Sequence, residues 1–251
     1  MTSPTPAIRV EGVHLAFGDK RVLGGVSLTV PERCIYALIG PGAAGKSVLL
    51  KAIAGLVTPR EGRIEVLGRD LLALAERERM EVRRDIGMLF QNYALFDYLT
   101  VGENIAFPLR RLFDLPESEI QSRVAERLDR MSLPGFESRL PGGLSGGQKK
   151  RVGVARATIS RPKLVLYDEP TAGLDPVTSQ RIYDLIREEQ AQLGSTCVVI
   201  SSDVAGVFTI CDRVAMLHEG RILFEGTRDE ALASEIPAVK QFVHGLVDGP
   251  L

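Results

Sequence analysis

The chain has 251 residues, of which 45% are hydrophobic, and it carries 31 Lys and Arg against 32 Asp and Glu. This composition suits one large α/β domain, and the near-neutral charge excludes a bulk electrostatic attraction to nucleic acid. No apolar run approaches the ~18 residues that span a bilayer, and residues 1–6 do not resemble a signal peptide. We therefore expect a cytoplasmic enzyme that does not bind nucleic acid.

The first segment of the chain, residues 7–38, alternates between apolar and polar residues as β-strands do. Turns are predicted at Gly18-Asp19 and at Gly24-Gly25. The segment is therefore expected to form an antiparallel β-lobe. Three cysteines occur along the chain, and an odd number favours buried, reduced thiols over a disulfide framework; they are Cys34, Cys197 and Cys211.

A glycine-rich loop follows the apolar run at residues 34–39. It fits the pattern G-x-x-x-x-G-K-[ST] and leads into a helical segment at 48–54. The glycines let successive backbone N–H groups point at a phosphate, while Lys46 supplies a charge near the β- and γ-phosphates and Ser47 offers a hydroxyl to Mg²⁺. The predicted nucleotide-binding residues of this loop are Gly40, Pro41, Gly42, Ala43, Ala44, Gly45, Lys46, Ser47 and Val48.

Residues 92–158 are predicted to be helical, with helices at 101–113, 117–131 and from about Gln148 to Ile159. We interpret them as a helical subdomain inserted into the core. The segment Tyr93–Leu99 is apolar and loop-like, which is typical of a docking face for a membrane partner. Packing within the subdomain is the alternative interpretation for about half of its residues.

A second apolar strand, residues 164–168, ends in two acidic residues. Asp168 is placed to hold Mg²⁺, and Glu169 to orient or deprotonate an attacking water. Two carboxylates at one strand end repel each other, so a bound cation explains their presence. The surrounding β/α pattern at 159–217 predicts a parallel sheet covered by helices.

The motif Leu144-Ser145-Gly146-Gly147-Gln148 lies between the phosphate loop and the acidic strand end. The order of these three motifs resembles the ATP-binding cassette (ABC) ATPases, and the resemblance covers nearly the whole chain. It implies an α/β fold with a RecA-like P-loop core at about 1–91 and 159–235. It also implies the N-terminal β-lobe, the inserted helical subdomain at about 92–158 and a C-terminal tail at about 236–251, all within one nucleotide-binding domain.

The resemblance implies a homodimer in which two cassettes face head to tail and bind ATP and Mg²⁺ between them. Phe17 then stacks on adenine, with a core aromatic as the alternative; Gln91 reaches the Mg²⁺ and senses the transmembrane partner. Asp175 lies in the loop that couples the two sites. The residues that cap the γ-phosphate held by the opposite subunit are Ser145, Gly146, Gly147 and Gln148.

One residue departs from the ABC pattern. The family usually has a histidine just after the next strand, and here Ser202 stands at that position. A serine hydroxyl is shorter than an imidazole and carries no charge. The expected consequence is a slower ATPase, with Ser202 as a weaker member of the catalytic set formed by Lys46, Gln91 and Glu169.

A finer resemblance is to the ATPases of Mla/MCE-type lipid transporters. It rests on residues 46–51, 92–108 and 166–176 and, most specifically, on the tail at 241–250. It implies a peripheral subunit on the cytoplasmic face of the inner membrane that powers phospholipid movement between the inner and outer membranes. The implied partners are permease subunits, a periplasmic MCE-type lipid-binding protein and a small cytoplasmic regulatory subunit.

The tail has two interpretations, a contact with the neighbouring ATPase or a disordered end. The lipid group often has another residue at the position of Gln148. Three alternatives to lipid transport remain at this stage. An importer ATPase for another small solute and a weakly hydrolysing regulatory cassette both stay open. A cassette protein of DNA repair or translation is disfavoured, because the 97 positions between Ser47 and Leu144 leave no room for a long coiled coil.

Overall fold

The computed structural model describes residues 6–251. Residues 1–5, the first part of the core segment predicted at about 1–91, lie outside the described residues. In chain order, the strands are β1 (Ile8–Phe17), β2 (Lys20–Val30), β3 (Ile35–Ile39), β4 (Glu61–Val66), β5 (Arg69–Asp70), β6 (Ile86–Leu89), β7 (Leu164–Asp168), β8 (Thr196–Ile200), β9 (Arg213–His218) and β10 (Arg221–Thr227). The helices are α1 (Lys46–Ile53), α2 (Glu76–Arg84), α3 (Val101–Leu112), α4 (Glu117–Arg130), α5 (Gly146–Thr158), α6 (Pro176–Leu193), α7 (Val204–Phe208), α8 (Arg228–Leu232) and α9 (Pro237–His244).

The N-terminal lobe is a four-stranded antiparallel sheet in the order β2-β1-β4-β5. The turn predicted at Gly18-Asp19 is confirmed between β1 and β2. The turn predicted at Gly24-Gly25 is wrong, because β2 runs through both glycines. The pairing shifts by one residue there, and Gly25 has φ 90°, so the glycines form a bulge within the strand.

The central sheet has six strands in the order β10-β9-β3-β8-β7-β6, all parallel except β10. Successive side chains of its strands point to opposite faces. Tyr36 and Leu38 of β3 therefore join one hydrophobic cluster with α1 and the N-terminal lobe, while Ile35 and Ala37 join another with α3–α6. Each face of the sheet is thus covered, as the β/α pattern predicts.

Helices α3–α5 are inserted between β6 and β7 and form the helical subdomain. Pro108 lies inside α3 rather than ending it. The third helix begins at Gly146, two residues earlier than predicted, because Ser145 caps it: the Ser145 hydroxyl accepts from the Gln148 N–H and the Gln148 side chain accepts from the Ser145 N–H. The fold class is confirmed.

The three cysteines are buried free thiols, and Cys34 lies just before β3 rather than within a strand. Among the described residues, every helix is too short or too polar to cross a membrane.

The C-terminal tail packs against its own chain. Val239 of α9 is fully buried, and Phe242 and Val243 lie against the main hydrophobic cluster. The last residues fold back so that the Leu251 N–H donates to Gln241 Oε1 at 2.8 Å. Leu246 and Val247 are left exposed, Val247 at 95%. The tail is thus folded against its own chain, and its exposed apolar side chains, among them Leu246 and Val247, are available to a neighbour.

Candidate functional site

Four loops leave the carboxyl ends of adjacent strands β3, β8, β7 and β6. They carry the phosphate loop, Ser202, Glu169 and Gln91, respectively. Because these strands are parallel, the four loops emerge at one edge of the sheet, where ligands of open α/β sheets bind. The topology therefore brings together residues that are more than 100 positions apart in the chain.

The phosphate loop wraps around the side chain of Lys46. Its Nζ donates to the carbonyls of Gly40 (2.6 Å) and Pro41 (2.8 Å), and burial lowers its pKa. Gly40 has φ 139°, and a Cβ there would lie 2.0 Å from the Leu217 carbonyl oxygen, so only glycine fits. Helix α1 starts at Lys46, so its first N–H groups have no acceptor within the helix and face the loop.

A hydroxyl and a carboxylate meet beside this loop. Ser47 Oγ donates to Asp168 Oδ1 at 2.8 Å, and burial raises the pKa of Asp168. Oxygen donors in this arrangement fit Mg²⁺, which takes few protein ligands together with substrate phosphates. Gln91, Glu169 and the phosphate loop line a cavity with a volume of about 430 Å³. The residues present therefore fit a triphosphate with its Mg²⁺.

Glu169 is held from two sides in a left-handed conformation with φ 49°. Its carboxylate oxygen Oε2 accepts from the backbone N–H of Ser202 (3.1 Å) and from the Ser202 hydroxyl (3.0 Å). Its N–H donates to the Ile200 carbonyl at 3.0 Å. Ser202 thus contacts the acid itself, a contact that the sequence did not reveal.

Phe17 lies at the mouth of the same cavity and is 54% exposed, so the core-aromatic alternative is wrong. Lys20 and Val22 line the cavity beside it. Sequence reasoning missed these two residues, although both lie on the strand that follows Phe17. An exposed ring next to an apolar side chain is suited to packing on a nucleobase.

The signature residues Ser145–Gly147 line a different cavity, an open one of about 790 Å³. Asp175 lies beside them and caps α6, its Oδ1 accepting from the Thr178 N–H at 2.9 Å. The packing is close, because a Cβ on Gly147 would lie 2.8 Å from Thr178 Cγ2. The structure therefore does not bring the signature together with the phosphate loop of the same chain.

Lys150 is a third residue that the sequence interpretation missed. It is fully buried, and burial lowers its pKa to about 8. The signal in the sequence is its place on the same face of α5 as Gly147, Gly153, Val154 and Ala157, where a cation is out of place.

Comparison with known proteins decides the family. The profile of the ABC transporter family matches residues 23–172, more than half of the chain. The chain belongs to the ABC transporter family. It is the ATP-binding subunit of such a transporter, and this ABC ATPase uses ATP with Mg²⁺.

Three curated relatives of this ABC ATPase differ in their named substrates. "Probable ribonucleotide transport ATP-binding protein mkl" of Mycobacterium leprae is 38% identical over 98% of this chain and 71% of its own length. "Methionine import ATP-binding protein MetN" of Caulobacter vibrioides is 43% identical over 86% of this chain and 64% of its own length. "Intermembrane phospholipid transport system ATP-binding protein MlaF" of Escherichia coli K12 is 36% identical over 97% of this chain and 91% of its own length.

A solved structure shows the same fold. The dimeric ATP-binding cassette MJ0796, in a post-hydrolysis state bound to ADP and Pi, superimposes with a TM-score of 0.81 and 30% identity over 88% of this chain and 98% of that chain.

Proposed function

We propose that this chain powers phospholipid transport between the inner and outer membranes, as a homodimer on the cytoplasmic face of the inner membrane. The observation that carries the proposal is the similarity to MlaF over 97% of this chain and 91% of MlaF, whose name describes that transport. Transport of another small solute is the second candidate, because MetN is more similar in identity, at 43%.

Each residue of the nucleotide site has a separate role in binding or hydrolysing ATP. Lys46 and the amides of the phosphate loop hold the phosphates, and Ser47, Asp168 and Gln91 provide the oxygens for Mg²⁺, which neutralises charge on the phosphates when bound. Glu169 accepts the proton of the attacking water. Phe17 packs on the adenine ring.

The two-cavity arrangement supports the dimer. Ser145–Gly147 open α5, and the N–H groups of Gly146 and Gly147 lie in its first turn at the positive end of its dipole, a suitable cap for an anion. They line a cavity apart from the phosphate loop, so a second chain has to supply the matching half. Gln148 supports this end by capping Ser145, and Asp175 lies where two facing sites would meet. Leu246 and Val247 of the tail add an apolar contact for the neighbour.

An apolar groove near Gln91 suits the permease. It has a volume of about 360 Å³, and its aromatic residues include Phe96 and Phe107, whose rings lie 4.9 Å apart. Tyr98 beside it is 78% exposed. Asn104 holds the loop at residues 93–99 in place, because its side-chain amide donates to the carbonyls of Phe96 and Leu99 at 3.0 Å each. The loop thus presents an exposed apolar surface, which is typical of a protein–protein contact.

Purification of the tagged full-length chain from detergent-solubilised native membranes tests the lipid assignment. We expect permease subunits, an MCE-type lipid-binding protein and phospholipid to co-purify, with a small cytoplasmic regulatory subunit. In liposomes, the complex is expected to move labelled phospholipid when ATP is added. The Lys46→Ala complex is expected to move none, since it lacks the ammonium group that stabilises the negative charge developing on the phosphates during hydrolysis. Co-purification with a soluble-solute binding protein instead would assign the second candidate.

Ser202 allows a graded test of the hydrolytic site. Ser202→His is expected to raise ATP turnover, by up to about 10²-fold, because it adds a longer donor near the developing charge. Ser202→Ala is expected to lower turnover, because Glu169 loses the hydroxyl donor but keeps the backbone one. Steady-state ATPase assays with both variants check this, and ATP affinity is expected to change little. Equal rates in all three proteins would show that Ser202 takes no part.

A further inference from the structure

Helix α5 holds the segment that follows Gln91 through two buried cations. Lys150 Nζ donates to the carbonyls of Gln91 (2.9 Å) and Glu169 (2.8 Å) and lies 4.8 Å from the centre of the Tyr93 ring. Arg156 donates to the carbonyls of Ala94 (2.6 Å) and Tyr93 (2.7 Å). One helix therefore contacts both functional loops through their backbones.

The backbone at these contacts is strained. Tyr93, Ala94 and Glu169 have φ angles of 62°, 49° and 49°, in the left-handed region that residues with a Cβ disfavour. Such conformations persist only where the surroundings hold them. Lys150 donates to the carbonyl of Glu169 itself, and its other bond holds the carbonyl of Gln91. Lys150 thus joins the two loops directly.

The same helix begins at the signature. Lys150 follows Ser145 by five positions, which is about 7.5 Å along the helix axis, and its side chain reaches the two carbonyls. Because α5 is continuous from Gly146 to Thr158, we expect its signature end and Lys150 to move together. A displacement of its signature end is therefore passed to Gln91 and Glu169 through Lys150.

We propose that Lys150 is a positioning residue that links the signature of each chain to the hydrolytic residues of the same chain. The proposal rests on the proposed function, in which the signature caps the partner's nucleotide and Glu169 acts on the chain's own. Binding of nucleotide at one site then sets the geometry of Glu169 and Gln91 at the other. The two sites of the dimer are coupled through one ammonium group on each chain.

Replacement of Lys150 by methionine in the full-length chain tests this link. Methionine has a similar length and an apolar end, so the side chain still fills the space but donates no hydrogen bond. We expect kcat for ATP to fall by about 10–10²-fold with KM within about twofold, because a small misplacement of catalytic groups costs that much. Lys149→Met, a matched change at the partly exposed neighbouring position, is expected to leave both constants unchanged.

Two further variants separate positioning from simple stabilisation. Lys150→Arg retains the charge and several donors and is expected to recover much of kcat. Combination of Lys150→Met with Gln91→Ala is expected to cost less than the product of the two single losses, because both act on one unit. If Lys150→Met fails to fold, Lys150→Leu, which also donates no hydrogen bond, replaces it in the same comparisons.

Each outcome decides the proposal. If the wild type hydrolyses ATP and both Lys150→Met and Lys149→Met have the same kcat as the wild type, the link is overturned. The ATPase assignment is not affected by that result. A kcat loss that only follows a lowered melting temperature, without rescue by arginine and with multiplicative losses, would also overturn the link. Failure of the wild type to hydrolyse ATP in its complete transporter would overturn the proposed function itself.

Discussion

Glu169→Gln is expected to stop ATP turnover while ATP binding persists. Glutamine keeps the shape of the side chain and still accepts the hydrogen bonds from Ser202. It does not accept a proton at neutral pH, and loss of a general base costs about 10²–10⁴-fold in rate. A dimer that has closed on ATP then does not reopen. Size-exclusion chromatography with ATP and Mg²⁺ is expected to show a stable dimer of this variant.

Glu219→Gln is the matched control for this experiment. Glu219 is exposed and lies in the turn between β9 and β10, and its φ of 47° resembles that of Glu169. The change has the same chemistry and the same backbone conformation, away from the cavity. We expect normal turnover and no trapped dimer. Full activity in Glu169→Gln would remove Glu169 from the mechanism.

Glu189→Ala is expected to destabilise the fold by about 3–5 kcal/mol, the usual cost of breaking a buried ion pair. Glu189 of α6 is 1% exposed, and its two carboxylate oxygens accept from Arg127 and from Arg130 of α4. Arg127 also donates to the Thr158 carbonyl of α5. The carboxylate thus joins the helical subdomain to the core, and its removal leaves buried positive charge without a counter-charge.

Thermal unfolding followed by circular dichroism measures this loss, which corresponds to a fall in melting temperature of about 10 °C. Glu188→Ala is the control, since Glu188 is the exposed neighbour on the same helix. We expect its melting temperature to stay near that of the wild type. Equal melting temperatures for the two variants would show that the buried pair contributes little to stability.

The sequence predicted the parts of the site that follow local rules. The phosphate loop and the strand ending at Asp168 depend on residues within a few positions of one another, and they form the predicted strand, loop and helix. The cap at Ser145 was not predicted, so the helix that follows it begins two residues earlier than expected. The glycines at 24–25 misled the prediction because a bulge and a turn both use glycine. Pairing with β1, which is set by residues elsewhere, chooses between them.

The remaining features depend on contacts between distant positions. Lys150 lies 59 positions from Gln91, and Arg127 lies 62 from Glu189. In the sequence alone, Arg127 looks like an ordinary surface residue of a helix, and the apolar face of α5 marks Lys150 as unusual without indicating its partners. Only the packing of α4, α5 and α6 buries them and selects their partners. The contact between Ser202 and Glu169 was not predicted for the same reason, because β7 and β8 become neighbours only in the folded sheet.

The loops at the edge of the central sheet also bear on how such ATPases diverge. The side chains of Gln91, Glu169 and Ser202 belong to neither hydrophobic cluster. Substitutions at these positions are therefore expected to change ATP turnover more than they change the packing of the core. Ser202, at the position where a histidine is expected, is predicted to be a change of this kind, and the turnover of the Ser202→His variant tests it.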